Sequence, residues 1–360
     1  MDKYIDYYND SKKVTYHEQT DISNILKLRA VLKTLPDFCK DYFRAMDPLT
    51  TTKTRISYAY DIRIFFQFLL DENPAFKDYS MKDFTVDVLD QLKAIDIEEY
   101  QEYLKVYKNG DKTETNGERG LKRKISALRS FYAYYYKHEF IQTNPTVLVD
   151  VPKTHEKNII RLDADEVAML LDHIEHCGDE LTGQKRVYYE KTKERDLAIV
   201  TLLLGTGIRV SECVGLDVED VDFKNNGIKV TRKGGNEMVV YFGPEVEKAL
   251  KRYLEVRENI IPLEGHEHAL FYSTQRKRIG IQAVENLVKK YAGAITTTKK
   301  ITPHKLRSTY GTTLYQETGD IYLVADVLGH RDVNTTKKHY AAMDDARRRK
   351  AATAVHLRED

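Results

Sequence analysis

The chain has 360 residues, of which 41% are hydrophobic and 31% charged, a composition typical of a globular protein rather than a disordered one. This length predicts two domains. The formal net charge of +1 gives no support for a broadly basic nucleic-acid binder. Three widely spaced cysteines argue against a disulfide framework and a zinc site, and no apolar run has the length of a signal peptide or membrane span. These features predict a soluble cytoplasmic protein with no membrane partner.

The first part of the chain has helical periodicity. Residues 1–44 are predicted to form a peripheral N-terminal helical extension, and residues 45–150 a helical domain. Within this domain, threonines 50–52 are suited to cap a helix that stops near Asn73-Pro74. A further helical pattern continues to Tyr107, where a loop follows.

A long basic helix is predicted from about Asn116 to His138. One face carries positive side chains with almost no interleaved acids, although residues 71–118 just before it are rich in acids. A solvated surface is one interpretation of this face and a DNA-facing helix is the other. The candidate DNA-binding residues are Arg119, Lys122, Arg123 and Arg129.

The second part of the chain follows a short linker. The stretch from Asn144-Pro145 through Pro152 and Lys153 is predicted to be extended because a proline lies near each end, and the boundary between the domains is placed at 151–160. A helix start is predicted at Asp163, and a strongly apolar helix over 195–204 is closed by Gly205-Thr206-Gly207. Alternation over 227–242, with glycines at its tip, predicts a β-hairpin. The predicted fold class is mainly α with a small antiparallel β-sheet, in two domains, the second at 161–345 and followed by a tail at 346–360.

Six polar residues in the second half of the chain could together hold and cut a DNA phosphate. In chain order they are Arg209 in GTGIRVSE, Lys233 in TRKGG, His304 and Arg307 in TPHKLR, His330 in VLGH and Tyr340 in TTKKHY. They supply an oxygen nucleophile, guanidinium groups that match phosphate oxygens, and proton carriers, with no metal ligands required.

Each of these residues also has an ordinary interpretation. Arg209 is suited to pair with Glu212 at i+3, which would also brace its guanidinium for a phosphate. Lys233 at a hairpin tip is commonly solvated, and a histidine such as His330 is commonly structural. A tyrosine has a reference pKa of about 10, so Tyr340 needs nearby positive charge to act as a nucleophile.

The order and spacing of these motifs resemble those of the tyrosine recombinases, or phage-type integrases, and are most similar to the single-chain Xer recombinases of Gram-positive bacteria. The resemblance covers about 160–345, and the preceding helical region is similar to the family's SAM-like core-binding domain. The interval from His330 to Tyr340 is one residue longer than the commonest family form, and Ser308 stands where histidine is frequent. Neither departure removes a residue of the catalytic set.

The resemblance implies a role for each residue. Tyr340 would attack the scissile phosphate to form a 3′-phosphotyrosyl link, while Arg209 and Arg307 hold the non-bridging oxygens. Lys233 would protonate the leaving 5′-oxygen, and His304 and His330 would assist proton transfer and bind the phosphate. It implies no cofactor, neither metal nor ATP.

The resemblance also implies double-stranded DNA carrying a specific site as partner, and a homotetramer acting on two sites through a Holliday junction. The segment after Ala341 resembles a tail that docks on a neighbouring protomer. Xer-type chromosome dimer resolution is the expected role. Integration or excision of a mobile element, a type IB topoisomerase and a non-catalytic DNA-binding protein are the alternatives.

Overall fold

The computed structural model describes residues 15–155, 159–232, 235–329 and Val333. The chain divides into two compact units, residues 1–157 and residues 158–360. Among the described residues, no helix combines the length and the apolar character needed to cross a membrane. The predicted fold class is confirmed, since helices dominate both units and the sheets are small and antiparallel.

The first unit contains six α-helices and one β-hairpin within its described part. The helices are α1 (Tyr16–Leu32), α2 (Cys39–Ala45), α3 (Thr52–Glu72), α4 (Val88–Gln91), α5 (Ala94–Tyr103) and α6 (Glu118–Lys137), and the strands are β1 (Val106–Asn109) and β2 (Lys112–Thr115). The predicted cap of α3 forms, because the side chain of Thr51 accepts from the backbone N–H of Thr54. The prediction that helix continues to Tyr107 is wrong. Tyr107 lies in β1 and pairs with Glu114 of β2.

Aromatic side chains dominate the core of the first unit. Phe65 and Phe66 of α3 and Phe131 of α6 are fully buried and contact one another or their neighbours edge to face. Helices α1 and α2 contribute Val31 and Tyr42 to this same core, so the segment predicted to be peripheral packs against α3 and α6. Burial of these large rings is the main favourable term in the folding of the unit.

A buried carboxylate lies between α3 and α6. The side chain of Asp61 is 1% exposed and accepts from Lys124 Nζ at 3.0 Å and from Arg123 Nη2 at 2.9 Å. Lys124 is itself buried, whereas Arg123 is half-exposed. The two helices are therefore joined by a charge cluster in which Asp61 and Lys124 are buried. Its stability depends on all three charges, because loss of one leaves a buried charge uncompensated.

We expect Asp61→Asn to lower the free energy of unfolding by about 3–5 kcal/mol, because it leaves buried Lys124 without a compensating charge. Urea unfolding of the full chain, followed by circular dichroism, measures the change. Asp41→Asn is the matched control, since its partner Arg44 is exposed on the surface. A loss no larger than that of the control would show that the cluster contributes little.

The segment predicted to begin an extended linker is instead folded onto the first unit. Residues Pro145–Val147 form a 3-10 turn whose start is capped by the Asn144 side chain, and Thr146 and Val149 are buried. The Arg129 guanidinium donates to the carbonyl of Thr146 at 3.1 Å and to that of Val149. These hydrogen bonds hold the segment against α6, which explains why the prediction of an extended chain is wrong here.

The second unit is built from seven helices and a three-stranded sheet within its described part. They are α7 (Ala164–His176), α8 (Gly183–Thr206), α9 (Val210–Gly215), β3 (Val221–Asp222), β4 (Gly227–Thr231), β5 (Glu237–Tyr241), α10 (Pro244–Arg257), α11 (Ile281–Ile295), α12 (Pro303–Thr318) and α13 (Ile321–Leu328). Helix α8 lies at the centre, packing against α7, α10 and α12. The predicted hairpin is confirmed as β4 and β5, with β3 added at its edge.

Candidate active site

The turn after α8 positions the first arginine. Gly207 ends the helix with φ +63°, and its N–H donates to the carbonyl of Leu203 at 3.1 Å. A Cβ at this position would overlap the Tyr310 ring of α12, so the turn is both left-handed and tightly packed. The chain leaves α8 here, and Arg209, two residues on, is the N-cap of α9.

Arg209 and Glu212 form the predicted pair. Arg209 Nη1 lies 2.6 Å from Glu212 Oε1, and the backbone N–H of Arg209 donates to Oε2 at 2.7 Å. The carboxylate is buried while the guanidinium is about one-third exposed. Glu212 therefore fixes one edge of the guanidinium, and Nη2 on the other edge is 3.3 Å from the carbonyl of Gly329.

Arg307 lies on α12, which begins at Pro303 after Thr302 as predicted. Its side chain is buried and donates through Nη1 to the carbonyl of Gly207 at 2.5 Å and through Nη2 to that of Leu328. The same side chain thus holds the turn that precedes Arg209. His304, one turn earlier on α12, is exposed.

A third arginine, Arg232, was not among the predicted site residues. It follows β4, is half-buried, and donates to the carbonyls of Asp326 at 3.3 Å and Val327 at 2.6 Å. Burial lowers the pKa of Arg232, and the positive charge of Arg209 acts in the same direction while Glu212 opposes it. Its position next to Lys233 was the only sequence signal, and that signal does not separate it from any other surface arginine.

The three guanidinium groups meet at the C-terminal end of α13. Between them they donate to four consecutive carbonyls, from Asp326 to Gly329. The Asp326 carbonyl also accepts from the backbone N–H of Gly329 at 2.8 Å, and the end of a helix leaves further carbonyls open to side-chain donors. The negative end of the helix dipole and the buried Glu212 help to hold these cations together. Such a cluster can bind an anion whose negative charge is shared by two oxygens, such as a phosphodiester.

Three predicted residues, Lys233, His330 and Tyr340, lie outside the described residues, as does the tail after Ala341. Their neighbours in the chain are described. Arg232 precedes Lys233 directly, and Gly329 precedes His330 directly. Arg232 is one of the three clustered arginines, and the carbonyl of Gly329 accepts from Arg209.

The four predicted DNA-binding residues of α6 have different surroundings in the structure. Arg119 and Lys122 are exposed. Arg123 pairs with Asp61, and Arg129 holds the carbonyls of the following segment. DNA contact by all four stays a prediction, with Arg119 and Lys122 the more accessible pair.

Comparison with known proteins gives a family for this chain. Residues 160–347 match the phage integrase family. The tyrosine recombinase XerC of Caldanaerobacter subterraneus subsp. tengcongensis is 33% identical over 315 residues, which cover 84% of this chain and 82% of the relative. The tyrosine recombinase XerS of Lactococcus lactis subsp. cremoris is 31% identical and covers 88% of this chain and 93% of the relative. The chain therefore belongs to the phage integrase family, the tyrosine recombinases, which cleave and rejoin DNA.

Solved structures share the fold. The Tn1549 transposon integrase, in complex with a circular intermediate DNA, has a TM-score of 0.62 at 21% identity, covering 88% of this chain and 98% of that chain. The XerH site-specific recombinase, bound to its difH substrate, has a TM-score of 0.60 at 20% identity, covering 84% of this chain and 79% of that chain. These structures show the shared fold, and the family match with the XerC and XerS relatives confirms the sequence resemblance to the family.

Proposed function

We propose that this chain is a site-specific DNA recombinase whose cleavage site is assembled around Arg209 and Arg307, with Tyr340 as nucleophile. The observation that carries the proposal is the meeting of these two arginines at the end of α13, where Arg307 donates to the carbonyl of Leu328 and Arg209 to that of Gly329. They come from α12 and the N-cap of α9, yet both donate to the end of α13. That end leads directly into His330.

The proposed chemistry conserves the number of phosphate ester bonds. Tyr340 Oη attacks the scissile phosphorus, the bond to the 5′-oxygen breaks, and a 3′-phosphotyrosyl bond forms. Lys233 gives a proton to the leaving 5′-oxygen, and His304 assists proton transfer by accepting the proton that the Tyr340 hydroxyl loses on attack. Arg209, Arg307 and His330 bind the oxygens on which negative charge grows in the transition state, which lowers the barrier most when the donors are preorganised.

Glu212 and the carbonyls of α13 provide that preorganisation. A guanidinium fixed at two edges loses little entropy when it meets a phosphate, and its N–H groups need not reorient during reaction. The buried Arg307 also supports the turn before Arg209, so the two arginines keep a fixed spacing. Attack by a 5′-hydroxyl from a second duplex would reverse the step and exchange strands.

The proposed partner is double-stranded DNA, contacted by α6 through Arg119, Lys122, Arg123 and Arg129. The proposed assembly is a homotetramer on two sites that passes through a Holliday junction, with the tail after Ala341 docking on a neighbouring protomer. The solved structures of XerH and the Tn1549 integrase are complexes with DNA, which supports DNA as the proposed partner of this chain. The proposed location is the cytoplasm.

Xer-type chromosome dimer resolution is the proposed role. It is supported by the XerC and XerS relatives, which align over 82% and 93% of their own lengths. Recovery of the DNA that the protein protects from nuclease tests it. A protected site that maps to a single chromosomal location outside mobile elements supports dimer resolution, whereas protection of element ends would contradict it.

A nicked suicide substrate carrying that site tests the chemistry. The wild-type chain is expected to form a covalent protein–DNA adduct that is resolved by denaturing electrophoresis, and Tyr340→Phe is expected to form none. Tyr322→Phe is the control, because Tyr322 is a 71% exposed tyrosine of α13. An adduct that persists in Tyr340→Phe would overturn the assignment of the nucleophile.

A two-site recombination assay, run beside plasmid relaxation, separates the recombinase from a topoisomerase. Strand exchange between two copies of the site is the expected result. Relaxation without any exchange between cognate sites would contradict the proposed function.

A further inference from the structure

We propose that Arg232 is a positioning residue of the cleavage site, which fixes the base of the β4–β5 turn to the end of α13 and thereby places the proton donor for the leaving 5′-oxygen. The inference rests on the proposed function, because it concerns the step assigned to Lys233. Arg232 itself touches neither substrate nor reacting atoms in this proposal.

The contacts of Arg232 join two parts of the chain. Its side chain donates to the carbonyls of Asp326 and Val327, which are 94 and 95 residues away in sequence. Its backbone closes the turn, since its N–H donates to the carbonyl of Asn236 at 2.7 Å and its carbonyl accepts from Gly235 at 3.0 Å. Arg232, which directly precedes Lys233 in the sequence, is therefore attached to α13 through its side chain.

The packing around Arg232 is also tight. Gly329 has φ +62°, and a Cβ at this position would overlap the Arg232 guanidinium. The guanidinium thus lies directly against the backbone of the residue that precedes His330. Arg232 touches the end of α13 at the point where Arg209 and Arg307 also donate.

A purely stabilising role explains this arrangement poorly. Arg232 is half-buried within the electrostatic range of Arg209, a second cation, and its Nε is buried with no partner among the described residues. Burial of a cation beside another cation opposes folding, and the pKa of Arg232 is lowered although Glu212 acts in the other direction. A requirement of the cleavage site accounts for a guanidinium here, because only its fork reaches two successive carbonyls.

The consequence for the reaction follows from geometry. Loss of the fork detaches the base of the turn from α13, and a misplacement of about 1 Å at a reacting group can lower a rate about 100-fold. The step affected is protonation of the 5′-oxygen, a contribution that is typically about 10²–10⁴-fold in rate. Binding of DNA is expected to change little.

A substrate with sulfur in place of the bridging 5′-oxygen tests this assignment. A thiol is far more acidic than an alcohol, with a pKa of about 8.5 for cysteine, so a thiolate leaves without a proton donor. Arg232→Ala is expected to cleave ordinary DNA about 100-fold more slowly than wild type at saturating DNA. It is expected to cleave the sulfur substrate within a few-fold of wild type. Arg232→Lys, which keeps the charge but not the fork, is expected to be impaired and rescued in the same way.

Two reference variants make the outcomes distinct. Lys233→Ala is expected to show the same rescue by sulfur, and if it does not, the proposed role of Lys233 fails and the inference that depends on it fails as well. Arg257→Ala is the structural control, because Arg257 also donates to carbonyls of the second unit, at Glu267 and Ala269, yet cleavage is expected to be normal. If Lys233→Ala is rescued and Arg232→Ala is not, or if Arg232→Ala cleaves ordinary DNA normally, the inference is overturned.

Discussion

Replacement of Arg307 by alanine is expected to slow DNA cleavage about a hundred- to a thousandfold, equivalent to about 3–4 kcal/mol of transition-state stabilisation. The proposed role of Arg307 is to bind a phosphate oxygen on which charge develops, so the interaction strengthens as the reaction proceeds. Single-turnover cleavage of the suicide substrate at saturating DNA measures the rate without the contribution of binding. The sulfur substrate is not expected to restore the rate, which distinguishes Arg307 from Arg232 and Lys233.

The burial of Arg307 means that its replacement also affects folding. The carbonyls of Gly207 and Leu328 lose their donor, and a buried acceptor left unsatisfied costs about 1–3 kcal/mol. Arg307→Lys keeps a positive charge but not the fork, and it is expected to recover part of the stability and little of the rate. Thermal melts of both variants separate the two effects. Cleavage by folded Arg307→Ala within a few-fold of wild type would show that Arg307 is only structural.

Gly207→Ala is expected to destabilise the second unit and to slow cleavage together. The left-handed conformation costs an alanine about 1–2 kcal/mol, and the overlap of its Cβ with the Tyr310 ring adds about 1–3 kcal/mol. The turn must then shift, and it carries both the carbonyl that accepts from Arg307 and the chain leading to Arg209. Both arginines move as a result, so the cleavage rate is expected to fall by at least tenfold.

Gly265→Ala is the matched control for Gly207→Ala. Gly265 also has a positive φ, at +79°, but a Cβ there would meet no atom within 4 Å. Gly265→Ala is expected to lose only the stability that the left-handed conformation costs an alanine, and to cleave DNA at the normal rate. Circular dichroism melts and the suicide substrate are measured for both variants. Equal effects in the two variants would show that the packing of Gly207 against α12 has no part in placing the arginines.

The helices that carry the site could be predicted because local signals determine them. Apolar periodicity indicated α3 and α6, the glycines after residue 204 indicated the end of α8, and Thr302-Pro303 indicated the start of α12. The Arg209–Glu212 pair could also be predicted from the sequence, because residues at i and i+3 on a helix are neighbours. The β1–β2 hairpin was missed, since strands of four residues are too short for their alternation to be separated from helical spacing.

The sequence by itself determined the family, the order of the candidate site residues and the fold class, because motifs and periodicity are properties of nearby residues. Only the tertiary structure decided which arginines serve which purpose. Arg232 is placed at the site and Arg129 holds a folded segment, although both were ordinary basic residues in the sequence. The physical reason is that their partners are backbone carbonyls, which every residue has. The sequence therefore does not indicate which carbonyl will accept a hydrogen bond from an arginine. Only folding brings the end of α13 to three arginines that lie between 21 and 120 residues away.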